Sequence, residues 1–142
     1  MAEFTLRGPL GDGQYATKVR VYAGLKRIEI DTELVNQQPF VRYRNVFPLN
    51  LAQPHITHEI PFGAIERPNG EFPAQNWVDV SDGAHGLALL NRGIPGHGLI
   101  GNEMSTSLMK CAKIFSYAAV GGYDPATKVD AGFEIGVQHR FA

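Results

Sequence analysis

The run from Arg27 to Leu34 constrains this chain more than any other feature. Ile28, Ile30, Thr32 and Leu34 fall on one side of it, and Arg27, Glu29, Asp31 and Glu33 on the other. A β-strand points successive side chains to opposite faces, so this alternation describes a sheet with one apolar and one wet face. A helix through the same residues would scatter the apolar positions around its axis. Tyr15 to Tyr22 repeats the pattern, with Tyr15, Thr17, Val19 and Val21 opposed to Lys18, Arg20 and Tyr22. Only Ala23-Gly24-Leu25-Lys26 separates the two runs, which predicts a hairpin. A third run, Phe40 to Phe47, follows the turn Asn36-Gln37-Gln38-Pro39 and is expected to continue the meander.

From Ala52 onward, Pro54, Pro61, Gly63, Pro68, Gly70 and Pro73 break the chain into short pieces, a density that excludes long helices. Trp77 to Val80 and Gly86 to Leu90 read as strands, the second too apolar for a sheet edge, and Met104 to Met109 reads as another. Asn91 to Gly98 reads as a glycine-rich loop. Ser105 to Ala112 is the only stretch with any helical period, and its Ser and Thr residues weaken that reading. No repeat, low-complexity segment or linker is present. The expectation is one all-β domain over residues 1–142, a sandwich of short, mostly antiparallel strands.

Composition narrows the function classes. Hydrophobic residues make up 44% of the chain, charged residues 19%, and the formal net charge is -1, which fits a folded domain rather than a disordered one. A near-neutral chain offers no electrostatic reason to bind nucleic acid or an anionic membrane. Cys111 is the only cysteine, so no intramolecular disulfide can form, and its place in the apolar stretch from Met109 to Phe115 reads as a buried, inert thiol. Met1 to Arg7 lacks a signal-peptide pattern, and no stretch reaches the roughly 20 apolar residues of a membrane helix. A cytoplasmic address is expected.

Few constellations carry chemistry. His55-Ile56-Thr57-His58-Glu59 holds two histidines and a carboxylate, but lacks the His-Glu-x-x-His spacing that sets two imidazoles on one helical face. In an extended segment, residues three apart diverge, so a structural role is expected there and no metal site. Glu59, Glu66, Glu71, Asp79 and Asp82 include enough carboxylates for a glycosidase pair, although any chain of this size does. Asp82 before Gly83 reads more simply as a turn residue. Ser81 and Ser107 lack a Gly-x-Ser-x-Gly elbow. Gly8, Gly11 and Gly13 neither follow a strand nor open a helix, so they are read as no phosphate cradle. In the segment Asn91 to Asn102, Gly93, Gly96, Gly98 and Gly101 let the backbone approach another surface, and Arg92 and His97 are the long polar groups expected to project. The plainer reading is a connection whose glycines serve turns.

Three segments carry a resemblance: Tyr22 to Leu34 (YAGLKRIEIDTEL), His58 to Pro68 (HEIPFGAIERP) and Phe72 to Arg92 (FPAQNWVDVSDGAHGLALLNR). Together they resemble the C-terminal portion of the family 38 glycoside hydrolases, the α-mannosidases, and Gly132 to Phe141 is similar to a late strand of that family. The resemblance implies a portion of a galactose-mutarotase-like supersandwich. It also implies that catalysis belongs elsewhere: the family carries its zinc ion, Asp and His ligands and Asp nucleophile on an N-terminal α/β barrel whose motifs are absent here. No catalytic residue, metal ligand or cofactor is therefore assigned to this chain. The family pattern continues past Ala142, which implies a fragment. A loop of the family's sandwich brings an arginine near the bound sugar; Arg92 holds a similar place, with His97 as a second candidate. The partners implied are mannosides, a catalytic barrel, and a second copy meeting an exposed sandwich surface. The alternative is a free-standing carbohydrate-binding module stacking sugars on Tyr22, Tyr43, Trp77, Tyr117 or Tyr123. A hydrolase using its own carboxylates, or a domain without ligand, are the remaining readings.

Overall fold

The computed structural model describes residues 1–111 and the strand 138–141, and every regular element among them is a β-strand. Tyr117 and Tyr123, and the resemblance over residues 132–137, lie outside the described residues. The chain divides into two compact units, Met1–Arg42 with Lys110–Ala142, and Tyr43–Met109.

In the first unit, β1 (Ala2–Leu10), β2 (Gly13–Val21) and β3 (Ile28–Val35) form an antiparallel meander, completed by β12 (Gln138–Phe141) in the order β1-β2-β3-β12. The predicted hairpin is β2–β3. Thr17 lies opposite Thr32, their hydroxyls 3.2 Å apart on the apolar face. The opposite face is organised by Arg20, whose guanidinium lies 2.7 Å from Glu3 and 2.8 Å from Asp31. The hydrogen bond from Arg20 holds the Asp31 carboxyl below the usual carboxylate range. Tyr22 donates its hydroxyl to Glu29 at 2.7 Å, which raises the tyrosine's pKa.

Two readings of this region are corrected. Gly11 and Gly13 do follow a strand: Phe4 and Leu6 alternate with Glu3, Thr5 and Arg7 in β1, a pattern too brief before Gly8-Pro9 to stand out. Gly11, at φ 60°, begins the two-residue turn joining β1 to β2. Phe40 to Phe47 does supply a strand, β4 (Val41–Pro48), but it does not continue the meander, because β12 takes the place beside β3. Between β3 and β4 the Asn36 side chain accepts the Gln38 N–H at 2.9 Å and donates to the Gln38 carbonyl at 2.8 Å, and Phe40 takes φ 59°. This is a long, self-bonded corner rather than a tight hairpin turn.

The second unit is built on two antiparallel sheets. One has the order β4-β11-β10-β7, with β7 (Gly70–Pro73), β10 (Gly96–Ile100) and β11 (Glu103–Cys111). The other has the order β6-β5-β8-β9, with β5 (His55–Ile60), β6 (Gly63–Arg67), β8 (Trp77–Ser81) and β9 (Gly86–Leu90). Period-two alternation turns Ile56, Val78 and Val80 inward from the second sheet and Leu99 and Met104 inward from the first. Leu51 and Ala74 complete this core, with Phe47, Leu49, Leu87 and Leu89 packed against it. The class is an all-β sandwich, as expected.

Three further readings change here. Ser105 to Met109 lies in β11, so the only helical candidate is a strand. The presumed loop contains β10. A Cβ on Gly98 would sit 3.1 Å from the Gly70 carbonyl oxygen and 3.0 Å from the Glu71 side chain, so that glycine serves close approach to β7. β9 is the edge of its sheet among the described residues, despite its apolar sequence. Leu87 and Leu89 turn inward while Leu90, at its end, is 75% exposed, so one apolar face is enough to retain the strand there.

Backbone strain appears at a second exposed position besides Phe40. Pro61 and Phe62 join β5 to β6, and Phe62 is fully exposed at φ 66°, where a side chain is disfavoured. Phe62→Gly is therefore expected to stabilise the protein by about 1 kcal/mol. By contrast, Leu99→Ala, in the core, should cost about 2–5 kcal/mol. Urea unfolding of the two variants checks both signs.

Candidate functional site

Asn91 to Pro95 links β9 to β10. The Asn91 N–H donates to the Asn76 carbonyl at 2.8 Å, and the Ala74 N–H donates to the Pro95 carbonyl at 2.9 Å, which ties both ends of the turn to the segment preceding β8. The Asn91 side-chain oxygen accepts the Ile94 N–H at 2.9 Å, and Gly93 takes φ 73°. That bond fixes which end of the amide is which. Asn91 Nδ2 is then the donor to His97 Nε2 at 3.0 Å, so the imidazole proton resides on Nδ1.

Asn76 is anchored in turn by Glu59. One carboxylate oxygen accepts the Asn76 and Trp77 N–H groups at 2.6 and 3.1 Å, and the other accepts Asn76 Nδ2 at 3.2 Å. These bonds, the Asn76 side chain's first, hold the Glu59 carboxyl below its ordinary range. A continuous polar chain, Glu59–Asn76–Asn91–His97, thus fixes the turn. Arg92 sits on it, exposed, and makes no hydrogen bond or ion pair among the described residues.

The two candidate residues are therefore placed differently. Arg92 projects, as read from the sequence. His97 does not: it is 2% exposed in β10, and its role is to hold Asn91. Burial lowers its pKa, and the nearby Ile94 carbonyl offsets part of that shift without meeting hydrogen-bond geometry for Nδ1. Asn76 and Asn91, the residues that orient the turn, were missed; the Asn-x-Gly signature at 91–93 was the available signal. A cleft of about 350 Å³ bordered by Gln53, Pro54, His55, Asn69, Gly101 and Asn102 does not include Arg92.

The other candidates separate. His55 and His58 lie on opposite faces of β5: His55 is exposed with Nδ1 2.9 Å from Glu66, whereas His58 is fully buried. His58 meets the edge of Phe72 with ring centroids 5.9 Å apart, and the Arg67 guanidinium covers the same ring at 5.0 Å. Asp82 is a turn residue: it accepts the Ala84 and His85 N–H groups at 3.0 and 2.8 Å and the Ala52 N–H at 3.1 Å, bringing its pKa to about 2. Glu71 pairs with Arg44 at 3.0 Å. No group of three or more His, Cys, Asp or Glu among the described residues has the arrangement of a metal site. No helix among them is long and apolar enough to cross a membrane.

His58 makes the unit acid-sensitive. Both ring nitrogens are buried without hydrogen-bond partners among the described residues, and burial, reinforced by Arg67 and His97, lowers its pKa from 6.5 to about 4. The unfolded chain binds a proton that the fold refuses, so this stability is complete above pH 6.5 and declines as pH falls toward 4. Thermal or urea unfolding should show a loss of about 2 kcal/mol between pH 7 and 5 from this residue, and His58→Leu should flatten that slope. Glu59 and Asp82 stay ionised through the window. Separately, Asn91→Ala should cost about 1–3 kcal/mol by stranding buried His97 Nε2. Arg92→Ala should stay within about 0.5 kcal/mol in the same assay.

Known proteins resemble this chain along most of the described length. The glycosyl hydrolases family 38 C-terminal domain model matches residues 2–113. Alpha-mannosidase 2C1 of Mus musculus is 36% identical over 113 residues, covering 63% of this chain and 11% of the relative. Alpha-mannosidase G of Dictyostelium discoideum is 27% identical over 115 residues, covering 74% of this chain and 11% of the relative. The chain thus spans about a tenth of the length of these relatives. Two Enterococcus faecalis crystal structures share the fold. One, a protein in glycosyl hydrolase family 38, aligns at a TM-score of 0.70 and 20% identity, covering 91% of this chain and 15% of that one. The other, an alpha-mannosidase, aligns at 0.69 and 16% identity with the same coverage. With most of its length matched by the family model, the chain belongs to the glycosyl hydrolase family 38 C-terminal domain family.

Proposed function

We propose that this chain is a non-catalytic β-sandwich portion of an α-mannosidase, packing beside a catalytic barrel and presenting Arg92 to a mannoside. The observation that carries this reading is the contrast at the turn. Asn91 is bonded on both sides and His97 is buried beneath it, while Arg92 is left exposed and unpaired among the described residues. A guanidinium held this way offers a planar fork of donors to vicinal hydroxyls or to a neighbouring carboxylate. The family resemblance supplies the substrate class, and any zinc chemistry lies with the barrel rather than with residues of this chain.

The carboxylates argue against hydrolysis by the chain itself. Glu59 and Asp82 are saturated by backbone N–H groups, and Glu66 and Glu71 pair with His55 and Arg44. The N–H groups hold Glu59 and Asp82 below the ordinary carboxylate range, the opposite of what a general acid needs. The purified chain is expected to turn over no aryl α-mannoside above buffer, with or without added zinc. Zinc-dependent turnover that survives repurification would remove the non-catalytic reading. In an NMR titration with methyl α-mannoside, shifts should centre on residues 91–93 and vanish in Arg92→Ala. Shifts unchanged by that substitution would remove Arg92 from the sugar site.

A further inference from the structure

β1 is the free edge of its sheet among the described residues, and Ala2 through Arg7 are all exposed. An unpaired edge presents a row of N–H and C=O groups that another strand can use, and natural edges are usually short, bulged or defended by repelling charges. β1 is neither short nor bulged nor lined with charges of one sign, and its proline, Pro9, lies beyond the stretch from Glu3 to Arg7. It runs nine residues, pairs with β2 position for position from Ala2–Val21 to Leu10–Gly13, and carries one charge of each sign, Glu3 and Arg7.

We propose that β1 pairs antiparallel with β1 of a second copy of this chain, the two-fold axis passing through Thr5. In that register Glu3 of each copy faces Arg7 of the other, and Phe4 of each faces Leu6 of the other. Glu3, Thr5 and Arg7 share the face organised by Arg20. Phe4 and Leu6, 57% and 52% exposed, share the apolar face with Val19 and Thr17. The pairing thus makes two opposite-charge contacts on one face and two apolar contacts on the other, each a stabilising cross-strand pair.

The competing registers are worse for stated reasons. An axis at Glu3 or Arg7 sets like charges against each other. An axis at Phe4 or Leu6 leaves both charges unmatched. An axis between two residues turns the second copy's apolar face to the opposite side of the joined sheet. Because both copies use the same edge, the assembly closes at two rather than growing into a fibre. Glu3 already bonds Arg20 within its own chain, so its carboxylate is held in place for Arg7 of the second copy.

Sedimentation equilibrium of the 142-residue chain across micromolar to millimolar concentration tests this. A monomer–dimer equilibrium is expected. Arg7→Glu should raise the dimer dissociation constant on the order of tenfold or more by opposing two carboxylates at each end of the pairing, while Arg7→Lys should stay within a few-fold. Circular dichroism confirms that each variant keeps its strand content. Thr5→Cys provides a geometric check that needs no charge change: mild oxidation should give a disulfide-linked dimer, and Lys18→Cys on β2 should not. A chain that stays monomeric throughout overturns the proposal. So does a dimer indifferent to Arg7→Glu, or one that fails to cross-link through position 5.

Discussion

The second unit depends on the seam where Ile56, Val78 and Val80 of one sheet meet Leu99 and Met104 of the other. Each sheet has four strands, and each acquires a dry face only through the other. The seam dictates what each strand shows to solvent. Since Ile56 turns inward, His58 must as well, and since Val78 and Val80 turn inward, Trp77 and Asp79 turn out. The imidazole of His58 is therefore in the core by register, with Phe72 as its neighbour and no hydrogen-bond partner among the described residues. A histidine carried into an apolar layer in this way is stable only while neutral.

The same register builds the turn that carries Arg92. Glu59 follows His58 on β5 and so points outward, where its carboxylate collects the N–H groups of Asn76 and Trp77 at the start of β8. Asn76 in turn accepts the N–H of Asn91 at the end of β9, and the Asn91 amide reaches back to buried His97 on β10. Four residues from separate strands and loops are spent on orienting one turn, while the arginine at its tip has no structural work among the described residues. That division of labour is what the proposed role of Arg92 requires, because a contact side chain is most useful when its backbone is rigid and its donors are uncommitted.

Much of this was legible in advance, and the reasons for the misses are specific. β2 and β3 were readable because each carries a long apolar–polar alternation joined by a short turn. β10 was not, because glycine at 96 and 98 lowers strand propensity, and only the neighbouring strands explain the glycines: Ser107 of β11 crowds Gly96, and Gly70 and Glu71 of β7 crowd Gly98. β9 was expected in a sheet interior because its sequence is apolar throughout, but composition does not reveal which neighbours a strand obtains. At the turn, Arg92 was placed correctly as a projecting group. His97 was not, because a histidine between two glycines looks the same in a loop as in a buried strand.

The sequence by itself determined the strand periods, the absence of long helices among the described residues and the family, because those depend on residue type and order along the chain. Only the tertiary structure decided which strands became neighbours and which polar groups met. It sent β4 away from the meander and set β12 beside β3 instead. It buried His58 and His97 and joined Glu59, Asn76 and Asn91 into one chain. Those outcomes rest on contacts between residues far apart in sequence, where the energy of a pairing depends on what packs against it and local propensity has little to say.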